Sequence, residues 1–382
     1  MSSETEAAAE AAEAETVVSK LENIMMVLDR FVESKDDRLE LTEYSLNKEE
    51  REQVHQWAEK LGIGSYSVGN MARRTVVLTR ITKGRIEMYQ PHLIEQFIKM
   101  TKIPIPNTLP HLLDYYLNLL NPYYRAKSTW MRYTESVSRF KSFNAFMTHV
   151  NGLRDQVIGF IREKTADKPK GAKLETGKLI PSKGSVYNHD NAEMEMMSVD
   201  IASANFTVLK RYGWYDFEKA TSWEEFMARF TDDKFLINNK YLREMIFGRM
   251  RLTKTVLRYC NMFLSEIKTF LSTEFDVEDD DYIMIRGDEL VFEFAHLDDL
   301  MTSRLKQEFG DSIHVEAFTL QRLDPVDFYV KEHTNERIEF KSIPRSFVCQ
   351  AIKRYHKKEI NEKDRTFIHA GMAAVFTASV FD

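Results

Sequence analysis

The stretch "IMIRGDELVFEF" (residues 283–294) sets two apolar runs on either side of Gly287-Asp288-Glu289. Short apolar runs bounded by turn residues read as β-strands, and a glycine followed by an acid is turn chemistry. A β-hairpin with two adjacent carboxylates at or beside its tip is therefore predicted. The two charges repel each other. Either the tip is simply solvated, as acidic turns commonly are, or the pair holds a divalent cation. Partners elsewhere in the chain have to decide.

The first partner lies upstream. "MMSVDIASANFTVLKRYG" (196–213) reads as an apolar strand that delivers Asp200 at its end, followed by small residues and a helix-like segment. One acid at a strand end plus an acidic pair on a turn is what a two-metal phosphoryl-transfer site needs. Two Mg²⁺ ions ~4 Å apart require carboxylates from neighbouring strands. Downstream the pattern predicts a helix over 297–309, a strand "IHVEAFTL" (313–320) and a second hairpin, "DFYVKEHTNERIEFKSI" (327–343). Between the acids, Arg251, Lys254 and Arg258 recur at i, i+3 and i+7 and predict one cationic helical stripe. A solvated helix face is the plain alternative for that stripe.

Bulk composition excludes more than it selects. A chain of 382 residues is long enough for two or three cores. Its longest apolar runs fall well short of the ~18 residues of a membrane span. Its N-terminus is Ala/Glu-rich rather than laid out as a signal peptide. Two cysteines, Cys260 and Cys349, are too few for a disulfide framework or a zinc site, so an intracellular, reducing location is expected, cytoplasmic or nuclear. A net charge of −6 argues against bulk electrostatic coating of nucleic acid but leaves local basic stretches free to meet phosphates.

Ahead of the acids, residues 1–16 read as a disordered acidic tail. Val17, Leu21, Ile24, Leu28 and Val32 give an amphipathic helix within 17–36. "LELTEYSL" (39–46) alternates as a strand, Asn47 and Glu50 form a capping-box pair opening a helix over 48–61, and "RTVVLTRI" (74–81) reads as a strand. From 92 to 163 the pattern is mainly helical, broken by the prolines of "KIPIPNTLP". Lysines, glycines and prolines over 164–184 suit a basic loop. "GSVYN" (184–188) carries a strand signal, 218–272 is helical, and the chain closes on a helical segment, 346–382.

Arg51-x-x-x-His55 opens "REQVHQWAEKLGIGSYSVGNMARRTVVLTR", which resembles the small nucleic-acid-binding domain named for an Arg and a His separated by three residues. The resemblance runs on through Ala58, Leu61-Gly62, Ser65, Ser67, Gly69, Arg73-Arg74 and Val76-Val77-Leu78, and assigns 37–104 to that domain. It implies binding of single-stranded RNA or DNA, with Arg51, His55, Arg73 and Arg74 as phosphate donors; Arg258, on the cationic stripe, is a further expected nucleic-acid contact. Met71 and Ala72 depart from the more polar turn expected there.

The order of Asp200 and the Gly-Asp-Glu hairpin, with the elements that follow, resembles the palm of right-hand polymerases, reverse transcriptases and RNA-dependent RNA polymerases included. Asp200 matches the first metal aspartate, and Asp288 with Glu289 the later acidic pair, where Asp-Asp is usual. The resemblance implies nucleotidyl transfer from nucleoside triphosphates using Mg²⁺ or Mn²⁺, with Asp200, Asp288 and Glu289 as catalytic metal ligands. Asn205 and Phe206 would neighbour the nucleotide sugar. Lys178, Lys183, Arg251 and Lys254 would meet phosphates, and Gly248 with Thr253, Thr255 and Asn261 would form the turn and helix beside the base pair. The expected fold is α+β: the Arg-x-x-x-His-type domain, a helical fingers-like region with its basic loop (105–184), an antiparallel-sheet palm (185–345) and the C-terminal segment. So compact a chain leaves room for an accessory subunit. Two other readings stand beside this one: a nucleotide- or diguanylate-cyclase-type palm, and a non-catalytic nucleic-acid-binding or viral structural protein with a decayed palm.

Overall fold

The structure, a computed structural model, describes residues 20–34, 36, 38–61, 63–68, 75–79, 90–166, 180–293 and 299–382. The tail 1–16, Arg73, Arg74 and Lys178 lie outside them. The chain divides into two compact units. One runs to Glu95 and is joined by Asn107–Tyr115 and Phe367–Ala374; the rest forms the other.

In the first unit a helix over 20–33 and the helix Lys48–Lys60 accompany three short antiparallel strands, β1 (Arg38–Glu40), β2 (Gly64–Val68) and β3 (Thr75–Thr79), in the order β1-β3-β2. Their core holds Ile24, Leu28, Phe31, Leu41, Val54, Ala58, Val76 and Leu78. The capping box forms as expected: the Asn47 amide donates to Glu50 at 2.7 Å and the Glu50 amide to Asn47 Oδ1 at 2.8 Å. Two expectations are corrected. Val32 is exposed and Phe31 takes its place in the core, because a 3.6-residue period reaches Phe31 three residues after Leu28. "LELTEYSL" is not a strand throughout, since the chain turns at Thr42-Glu43 after β1.

The second unit is built on a six-stranded, wholly antiparallel sheet in the order β5-β6-β4-β7-β8-β9. Its strands are β4 (Glu195–Ile201), β5 (Tyr282–Arg286), β6 (Glu289–Glu293), β7 (Ile313–Arg322), β8 (Tyr329–His333) and β9 (Ile338–Lys341). The succession β4, helices, β5, β6, helix, β7, with β4 between β6 and β7, is the split βαβ arrangement of ferredoxin-like folds. The pleat sorts side chains by parity. One face buries Val199, Ile201, Leu290, Phe292 and Ile313. The helix Asp299–Phe309 packs on β7, and Phe309 meets Phe263 and Phe270 of the long helix Thr253–Phe275 edge-on. The opposite face carries Ser198, Asp200, Glu289 and Glu316 at paired positions.

Helices ahead of the sheet include Pro91–Thr101, Pro110–Tyr124, Ala126–Ser138 and the 22-residue Phe143–Lys164, the last capped by the Ser142 hydroxyl accepting from the Ala145 amide. The "GSVYN" stretch is no strand. Lys183 alone forms a bridge to Ile285 at the outer edge of β5, while Val186 drops into the core. Gly184, at φ 56°, lies so close to β5 that an added Cβ would clash with the Ile283 carbonyl oxygen. The C-terminal segment is corrected too. After the helix Val348–Tyr355 and the short helix Glu362–Arg365 the chain forms a hairpin, Thr366–His369 with Met372–Val375. Its two-residue turn, Ala370-Gly371, has both φ values positive, as the favoured tight hairpin turn requires.

Candidate functional site

The opening stretch is the hairpin β5–β6, closed by the pair Arg286 and Glu289 around Gly287-Asp288. Gly287 takes φ 66°, which a two-residue loop asks of its first residue and a side chain would oppose. Asp288 is thus in the turn and exposed, while Glu289 is the first residue of β6.

β4 brings Asp200 to this tip. Asp200 lies opposite Glu289 in the β4–β6 ladder, and the next residue, Ile201, donates its amide to the Asp288 carbonyl at 2.9 Å. Burial, then the charges of Asp288 and Glu289, push the Asp200 carboxyl up to about 7, against a smaller opposing pull from Lys240. Burial, then the same two aspartates, raises the Cys260 thiol to about 12, so that thiol stays protonated.

Glu289 is already engaged. Ser198 donates to its Oε1 at 2.6 Å, and Lys331 Nζ stands 3.8 Å away. Lys331 is buried over the Phe318 ring at 4.0 Å, and burial holds its ammonium below the ordinary lysine range despite Glu289, Glu316 and Glu339 around it. Glu316 and Glu339 continue the network to buried His333 and to Arg337. This is a polar inlay on the sheet face, with Glu289 as its end nearest the tip.

Beside Asp288 opens a cavity of about 300 Å³. Asn205 and Ala204 line it from the helix that follows β4, Gly248 and Phe247 from Lys240–Arg249, Thr253 and Cys260 from Thr253–Phe275, and Gly287-Asp288 from the hairpin. Three of the sequence-predicted neighbours of the acids, Asn205, Gly248 and Thr253, therefore share one hollow with Asp288. Asn261 does not: its amide caps the Leu257 carbonyl on another side of the helix. Thr255 is likewise absent from the lining.

Other expected residues go elsewhere. Phe206 is buried, packed on Phe217 at 4.6 Å and near Trp223, so it serves the core and not a nucleotide. Lys183 spends its ammonium on the Asp279 and Asp280 carbonyls, at 2.8 and 3.3 Å. The cationic stripe is broken at its first member. Arg251 sits in a left-handed turn (φ 59°) between two helices, leaving Lys254 and Arg258 one turn apart on the exposed side of Thr253–Phe275.

Two basic residues that sequence reading missed stand near Asp200. Lys240 acts on its charge, and Arg243 donates to the Ser203 hydroxyl at 2.7 Å, in the turn right after β4. Ser203 itself is left-handed (φ 47°), a conformation that side chains rarely adopt. The only advance signal was their place, one helical turn apart and just after an Asn cap in "NNKYLRE".

Among the described residues no group of three or more His, Cys, Asp and Glu side chains is placed to hold a metal ion. Asp200 and Asp288 are hard oxygen donors whose repulsion Lys240 offsets only in part, and Mg²⁺ is commonly held by one or two carboxylates with substrate phosphates and water completing its shell. Glu289, bonded to Ser198, fits a positioning role better than a ligand role.

In the first unit His55 is held at both ring nitrogens, by Ser65 Oγ at 2.8 Å and Ser67 Oγ at 2.9 Å on β2. Burial first, then Arg51, lower its pKa, so the ring is neutral at pH 7. Arg51 donates to the Leu46 carbonyl at 2.6 Å. Arg51 and His55 thus fix the start of the helix and the facing strand to each other.

Comparison with known proteins agrees with that geometry. Residues 19–80 match the family model of the Arg-x-x-x-His (R-3-H) domain, the single-stranded nucleic-acid-binding module named for that motif. The chain is thus a mixed α/β protein with an N-terminal Arg-x-x-x-His domain, and nucleic-acid binding is the activity this match indicates. Neither a curated protein nor a solved structure matches the chain. Among the described residues no helix is long and apolar enough to cross a membrane.

Proposed function

We propose that the second unit is a palm-type nucleotidyl-transfer centre working on a nucleic-acid end, and that the Arg-x-x-x-His domain adds affinity for the single strand. One juxtaposition carries the reading. Asp200, delivered by a central strand, meets the Asp288 turn above a hollow lined by Asn205, Gly248 and Thr253. The split βαβ order of the sheet is what sets strand end and hairpin tip side by side.

In this reading Asp200 and Asp288 hold Mg²⁺ or Mn²⁺ together with triphosphate oxygens. A divalent cation there supplies positive charge to the transferring phosphoryl group and acidifies the attacking hydroxyl. Lys240 and Arg243 neutralise the triphosphate. Asn205 offers the sugar an amide for hydrogen bonding, and Glu289, fixed by Ser198 and Lys331, keeps the Asp200 strand end in register.

Primer extension with Mg²⁺ or Mn²⁺ tests it. Extension by the wild type that is lost in both Asp200→Ala and Asp288→Ala is the expected result. Product formed without template or primer moves the protein to the cyclase class. Nucleic-acid binding without turnover, or turnover untouched by both variants, overturns the proposal.

A further inference from the structure

Away from the acids, the second unit holds a larger hollow of about 950 Å³ between the end of β7 and the chain after the helix Val348–Tyr355. Five cationic residues line it: Arg322, Arg354, Lys357, Lys358 and Arg365. Two are committed to the fold. Arg322 is neutralised by Asp324 and Asp327 at 2.9 and 3.0 Å, and Arg365 donates to the Phe376 and Thr377 carbonyls. The acids Glu359 and Asp382 also border the hollow, and Asp382 accepts from the Ser379 amide.

Arg354, Lys357 and Lys358 are exposed, and no ion pair engages any of them among the described residues. Arg354 lies over the Phe381 ring at 5.8 Å and makes only a 3.4 Å contact with the Asp324 carbonyl. Attraction to a helix C-terminus accounts for a cation at Arg354. It favours a cation at Lys357 as well, but does not account for that residue's backbone. That residue takes φ 51° just past the helix end, where glycine is the usual occupant and a side chain is strained. The turn is locked by the Lys357 amide on Arg354 and the Lys358 amide on Lys353, at 3.0 and 2.8 Å. That turn sets Lys357 and Lys358 on the rim of the hollow beside Arg354.

We infer that this hollow binds the phosphodiester backbone of single-stranded nucleic acid, as a second contact separate from the Arg-x-x-x-His domain. Three unneutralised cations around an open trough suit successive phosphates, with no base-reading group required. The nucleic-acid-binding domain earlier in the chain makes a nucleic-acid strand the matching polyanion.

The test is fluorescence anisotropy of the full chain with labelled oligo-rU, oligo-rA and oligo-dT. It compares the wild type with Lys357→Glu/Lys358→Glu, its neutral counterpart Lys357→Gln/Lys358→Gln, and Arg51→Ala. Charge reversal is expected to weaken binding at least tenfold, alike for all three oligomers. The Gln pair should weaken it less, and lower the slope of log K against log salt by about 1.4, about 0.7 per lost phosphate contact. Arg51→Ala should add to either effect. Unchanged affinity and slope in the folded Gln pair overturns the inference, as does a loss seen with one base only. Binding abolished by Arg51→Ala alone assigns all affinity to the N-terminal domain and overturns it as well. Competition by tripolyphosphate as effective, per phosphate, as by the oligomers would make the hollow a small-anion site instead.

Discussion

Asp200 on β4 stands directly opposite Glu289 on β6, so one rung of the sheet sets two carboxylates face to face beside a third, Asp288, in the adjoining turn. Like charges opposite each other in a ladder destabilise it. Ser198 and Lys331 relieve Glu289, whereas Asp200 has only the smaller pull of Lys240.

Asp200→Asn should therefore stabilise the metal-free protein at pH 8. With its folded pKa raised from 3.8 to about 7, Asp200 binds a proton more tightly in the native state. Stability then falls as pH rises from about 4 to about 7 and stays low above that. The Asn variant should gain about 1–3 kcal/mol at pH 8, shrinking towards zero only as pH falls to about 4. Denaturant melts at both values check this. Mg²⁺ or Mn²⁺ should raise the melting temperature of the wild type at pH 8 and leave the variant unmoved.

Asn205 presents an amide to the hollow beside Asp288. Exchanging it for the bulky ring of Asn205→Tyr should shift incorporation from ribo- towards deoxynucleotides by tenfold or more. Paired single-nucleotide incorporation assays measure the ratio, and an unchanged ratio excludes Asn205 from sugar selection.

Lys331 is a buried cation that pairs with Glu289 and feels the charges of Glu316 and Glu339, which Arg337 also engages. Lys331→Met leaves those charges without it and should cost about 2–4 kcal/mol in denaturant unfolding. Lys331→Met/Glu289→Gln should recover part of that loss. Full additivity of the two changes would show that the residues are not coupled.

His55 gives a pH dependence of opposite sign. Its folded pKa lies below 6.5, so the unfolded chain binds the proton more readily. Its contribution is present above pH 6.5 and is lost as pH falls below it. NMR titration of the imidazole should give a midpoint under 6.5. In Ser65→Ala/Ser67→Ala the midpoint should move, and the N-terminal unit should lose about 1–3 kcal/mol through unsatisfied ring nitrogens.

What the sequence declares is what short-range physics encodes. Short apolar runs and a glycine turn are local, so the hairpin and the Asp200 strand are readable before any contact is known. The Asn47–Glu50 cap and the Arg51–His55 spacing are equally local. Phe206 shows the limit. One residue from Asn205, it points the other way because a helix turns 100° per residue, and which side is core depends on the distant Phe217 and Trp223. The stripe through Arg251 fails because no proline or glycine announces the left-handed turn there. Lys240 and Arg243 read as ordinary surface cations until Asp200 and Ser203 arrive beside them from another part of the chain.

Gly184 has an importance unrelated to chemistry. A sheet edge with bare amides and carbonyls is a template onto which another chain can add a strand. At β5, the main chain around Lys183 occupies part of that template, and only a residue without a side chain permits so close an approach. Gly184 is thus a guard against self-association. A larger residue there would lift the strap and leave the β5 edge open to a neighbouring molecule.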